Sequence, residues 1–134
     1  MHWNLVVTLS LHVLASVFWA GSTFALARTA GDGAAALFKA QMAAAIFTVL
    51  SGAYLWHTVH EGSVGPAERV LGGAAGAALV ALAVQSLVVG RTLRRMRRKG
   101  VPDAVARPRI AGAYRVASIL LAVAAVGMGA ARYM

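Results

Sequence analysis

Of the four histidines in this chain, His12 stands where an ionisable side chain is costly. It lies within Leu5 to Arg28, LVVTLSLHVLASVFWAGSTFALAR, an apolar stretch long enough to cross a bilayer, for which about 20 residues suffice. Hydrocarbon solvates a polar group poorly, so a residue at that depth is a functional-site candidate by default. Helical spacing puts Thr8, His12, Ser16, Trp19 and Thr23 along one face, because residues three or four apart are neighbours. That stripe is expected to turn away from lipid toward partner helices. Three roles then compete for the imidazole. It can bond to a neighbouring helix as interhelical glue. It can belong to a proton or ion path, although no Asp or Glu lies deep in any span to form a relay. It can be an axial ligand to haem iron, for which neutral imidazole is a standard donor and a bundle core a standard place.

A second haem ligand must lie at a compatible depth. His12 is ten residues past His2, roughly 15 Å along a helix, and His57 is roughly 7–8 Å in from the end of the second helix. Helical side chains lean toward their own N-terminus, so His12 and His57 on antiparallel helices converge, while His60 is one turn farther out. Against the pairing, Gln41, Thr48, Ser51, Tyr54 and Thr58 share one side of the second helix. His57 sits about a third of a turn from the centre of that side, on a flank that suits another subunit. Gln85, too near the basic end, and Met128, a weaker ligand, are the remaining candidates. The expected pair is His12 and His57, with Arg69 and Arg132, the basic residues of that end, pairing with the propionates. An alternative outer site gathers His2, His57 and His60, and imidazoles of that kind suit Cu(II) or Zn. The plainer reading leaves them as interfacial side chains with polar tips in water.

The elements that must position these residues are four helices. The pattern predicts them over about 2–28, 36–60, 67–89 and 109–132, separated by the turns TAGDG and EGSVGP and by a basic loop over 90–108. Part of that loop is expected to continue the third helix into water until Gly100 and Pro102 end it. Pro66 suits the first turn of the third helix. Gly72, Gly73 and Gly76 form a small-residue face expected to pack closely, as small residues do in lipid, within a homo-oligomer or a larger membrane complex. Short connections favour sequential antiparallel neighbours, so the fold class is an all-α, up-down four-helix bundle in a single transmembrane domain.

Composition agrees with the lipid setting: 60% of the 134 residues are hydrophobic and 13% are charged, too few for a soluble domain. The absence of Cys excludes disulfides and thiolate chemistry. The net charge of +9 does not imply nucleic acid, because eight of the thirteen basic residues fall between Arg91 and Arg109 in one interhelical segment. Beside a membrane span such a cluster sets topology, placing that loop in the cytoplasm and both termini, with Glu61 and Glu68, outside. It is also expected to attract anionic lipid head groups. The first span is not expected to be a cleaved signal peptide, since it lacks a basic leader and runs too long. The Ala, Gly and Arg bias suggests a bacterial inner membrane.

The run His12 to Gly21, HVLASVFWAG, resembles the first helix of two related groups of small bacterial membrane proteins. One is the four-helix protoporphyrinogen oxidase of haem synthesis; the other is the copper-resistance D type. The oxidase resemblance implies a haem b ligand at His12 and the removal of hydrogens from a porphyrinogen. It also implies an essential basic residue at the head of the third helix, where Arg69 is the nearest match, and GRTLRR at Gly90 to Arg95 is similar to that helix's end. There is no Lys at that head, and alanine replaces the aromatic flanks. The expectation is a haem b protein in redox chemistry or electron transfer, including porphyrinogen or quinol oxidation. The alternatives are copper binding or transport, and a cofactor-free accessory subunit.

Overall fold

The computed structural model of the chain describes residues 2–60, 62 and 64–134. Among these residues four helices and no strand are present: α1 Trp3–Arg28, α2 Ala34–Val59, α3 Pro66–Lys99 and α4 Asp103–Ala131. Each is long and apolar enough to span a bilayer. The chain is an all-α four-helix bundle and a multi-pass membrane protein, and large apolar side chains such as Leu14, Val17, Phe18 and Leu50 are exposed on its outside, consistent with contact with a bilayer. The expectation that Glu61 faces the same side as the termini lies outside the described residues.

The turns follow from local chemistry. Gly31 and Gly33 take φ of +81° and +86°, which an L side chain rarely adopts. A Cβ on Gly31 would also come within 2.8 Å of Ile110 Cγ2, so this turn rests directly on α4. At the head of α3, Pro66 occupies the first turn and the Glu68 carboxylate accepts the Gly65 N–H at 2.9 Å. Gly100, at φ +63°, ends α3.

The basic segment continues α3 until Gly100, as expected, but the connection is shorter than the loop expected over 90–108. Helix α3 continues to Lys99 through a π turn at Gln85–Val89, α4 already begins at Asp103, and only residues 100–102 connect them. Pro108 does not delay the start of α4. Its missing N–H frees one carbonyl in the first turn, that of Ala104, which is exposed and can be hydrated. Arg107 then pins this end, reaching Asp32 at 3.0 Å, Asp103 at 3.4 Å and the Ala30 carbonyl at 3.4 Å.

Packing concentrates in two pairs. In one, α3 meets α4 through Ala74, Ala78 and Ala81 against Ala117, Leu121 and Ala124, and a Cβ on Gly127 would stand 3.0 Å from that of Ala74. Within one chain the face that packs is thus the alanine one, not the glycine one. Gly72, Gly73 and Gly76 have nothing within 4 Å of an added Cβ, and at about 100° per residue Gly72 and Gly76 lie nearly half a turn from Ala74. In the other pair α1 packs on α2, and α1 also joins α4. The expected α2–α3 neighbourhood is nearly absent. Phe38 touches Gly90, where a Cβ would come within 3.0 Å of its ring, but a groove of ≈ 790 Å3 otherwise separates the two helices.

Candidate cofactor site and the buried polar network

The predicted stripe on α1 is the face that packs: His12, Trp19 and Thr23 are buried, and Thr8 and Ser16 are half-buried. His12 meets α2. Its Nδ1 lies 2.8 Å from Ser51 Oγ. Ser51 Oγ also lies 2.7 Å from the Phe47 carbonyl and 3.1 Å from that of Thr48. A hydroxyl has one proton to donate. With that proton on a backbone carbonyl, Ser51 can only accept from the imidazole, which places the ring proton on Nδ1 and a lone pair on Nε2. The one side-chain hydrogen bond of this ring found among the described residues is the one at Nδ1. The Cε1 edge of the ring abuts α2 at Gly52, where a Cβ would come within 3.1 Å of Cε1. Glycine at that position is what lets the imidazole in.

The other predicted site residues do not join His12. His57 is exposed, five residues beyond Gly52 and so roughly 7–8 Å farther along α2. His2 is exposed at the head of α1. His60 is half-buried, its ring centroid 5.6 Å from that of Trp56, and its Nδ1 is buried with no partner. Arg69 and Arg132 are exposed, and Met128 packs against the α3–α4 core. Among the described residues no three His, Cys, Asp or Glu side chains gather as a set of metal ligands.

A second polar cluster lies closer to the basic end, and sequence reasoning did not assemble it. Trp19 Nε1 donates to Gln85 Oε1 at 2.8 Å, and Gln85 Nε2 donates to Thr23 Oγ1 at 2.7 Å. Tyr114 donates to Gln41 Oε1 at 2.7 Å, and Gln41 Nε2 donates to Ser22 Oγ at 3.0 Å. Ser22 in turn donates to the Trp19 carbonyl at 3.2 Å. Every helix contributes, and the amides and aromatic donors are at most 1% exposed. The signal available in the sequence was at least one uncharged polar group at similar depth in each span.

Compared with known proteins, the chain matches no family model, no curated protein and no solved structure.

Proposed function

We propose that this chain is a haem b-binding protein of a bacterial inner membrane, serving redox chemistry or electron transfer, with His12 as an axial ligand. The observation that carries the reading is the Ser51 contact. An imidazole whose Nδ1–H is held by a hydroxyl presents Nε2 as a lone pair in a fixed direction, which is the usual arrangement of a metal-bound histidine. Ser51 and Gly52 thus orient the ring. Bound haem would supply one-electron chemistry at that depth; the chain itself supplies no carboxylate relay for protons.

The donor set fits one axial position within a single chain. His57, the nearest other imidazole of the helix pair, is exposed and farther along α2, so His12 alone would hold the iron from within one chain. Arg69 and Arg132 are the cations of that end available to propionates. An absorption spectrum of the purified protein, oxidised and reduced, tests the reading. A Soret band lost in His12→Ala supports it, and a low-spin spectrum lost in His57→Ala would assign the sixth position to His57. A His12→Ala protein with an unchanged spectrum refutes the ligand assignment.

The accessory-subunit reading is favoured by a separate observation, the open Gly72–Gly73–Gly76 face. A purified protein without a chromophore even when haem is supplied, co-isolated with other chains, would select it. Copper retained without haem would select a site at His2, His57 and His60.

A further inference from the structure

The groove between α2 and α3 is graded along its length. Ile46 and Leu82 line it toward the membrane centre, and Lys39, Arg94 and Arg97 line it toward the basic end. Lys39 and Ile46 are seven residues apart, roughly 10 Å along the helix. A phospholipid of that leaflet has the same polarity, with its phosphate at the end and its chains toward the centre. The volume, ≈ 790 Å3, lies within the range of built ligand sites, about 300–1,000 Å3.

Charge identifies the occupant. Lys39, Arg94 and Arg97 form no ion pair among the described residues. The two carboxylates of that end, Asp32 and Asp103, are both engaged by Arg107. A second copy of this chain would therefore bring more cations and no free carboxylate to the groove. An anionic head group brings the missing charge, and charge-assisted bonds to phosphate oxygens are the strong ones.

We propose that this groove binds one anionic phospholipid, its phosphate held by Lys39, Arg94 and Arg97 and an acyl chain laid against Ile46 and Leu82. The lipid fills the seam that the protein leaves open between two helices adjacent in sequence. This differs from a diffuse attraction of the whole basic segment for a charged surface, because only Arg94 and Arg97 of that segment line the groove, joined by Lys39 from α2.

The test reconstitutes the full-length protein into vesicles of equal phosphatidylglycerol and phosphatidylcholine, extracts it in mild detergent and counts retained lipid by native mass spectrometry. One retained phosphatidylglycerol per chain is expected. Lys39→Gln/Arg94→Gln/Arg97→Gln should reduce that preference on the order of a hundredfold, at about fivefold for each cation near the surface. Arg91→Gln/Arg95→Gln/Arg98→Gln removes equal charge from exposed positions outside the groove and should leave retention intact. Ile46→Trp, which fills the groove with the cations unchanged, should lower retention as well. Equal retention of the two lipids by the wild type, or equal losses in the two triple variants, overturns the proposal.

Discussion

Two buried polar clusters hold this bundle together, and they differ in how completely their bonds are closed. Near the basic end, Trp19, Ser22, Thr23, Gln41, Gln85 and Tyr114 draw on all four helices, and each amide oxygen receives a donor. Toward the other end, His12 and Ser51 draw on two helices, and Nε2 is left over. In hydrocarbon an unpaired polar group has no water to fall back on. A closed network therefore fixes which helices meet and at what register, while a cluster with a spare lone pair keeps capacity for a ligand. The comparison separates the two tasks: one cluster organises the bundle, the other offers chemistry.

Breaking the closed cluster should cost the most. Gln85→Ala strands the indole N–H of Trp19 and the Thr23 hydroxyl. Bonds between membrane helices average about 0.6 kcal/mol, but a buried donor left without a partner costs about 1–3 kcal/mol. The second effect dominates, so a loss of about 2 kcal/mol is expected in denaturant unfolding in micelles. A variant as stable as the wild type would mean that water reaches Trp19. Ser51→Ala should cost less, about 0.6 kcal/mol. Its distinctive effect is on orientation: in the haem-loaded protein the Soret position should shift while Gln85→Ala leaves it in place. An identical spectrum in Ser51→Ala would remove the orienting role. Smallest of all is Gly76→Leu, expected within about 0.5 kcal/mol of the wild type, because the added side chain enters open space. A large loss of stability for the isolated chain would place Gly76 in a contact that a single copy does not make.

Apolar length made the four helices legible in the sequence, and helical spacing gave the packed stripe of α1. Both depend on residues close together in the chain. The basic segment was read less well because Pro108 looks like a boundary, and whether a proline ends a helix depends on whether the freed carbonyl can reach water. Which small-residue face packs inside one chain was not legible, because composition says that small residues permit close approach, not which of two such faces is used. On α3 the alanines at 74, 78 and 81 are also small, and they are the ones that meet α4. The His12–Ser51 contact joins the polar stripe of α1 to the polar side of α2, yet depth alone could not say which residue of that side the ring would meet. That choice turned on Gly52, whose missing side chain admits the ring. The network of Gln41, Gln85 and Tyr114 needed the azimuth of all four helices at once.

The near-absence of an α2–α3 interface bears on how the chain is made. A ribosome delivers α1 and α2 first, and this pair can complete its own contact, His12 on Ser51, before α3 exists. The later pair, α3 and α4, closes through its alanines in the same self-sufficient way. Nothing in either hairpin waits for the seam between them. The last step of biogenesis is then the docking of two finished halves along α1 and α4, where Gln85 and Tyr114, made late, find Trp19 and Gln41, made early.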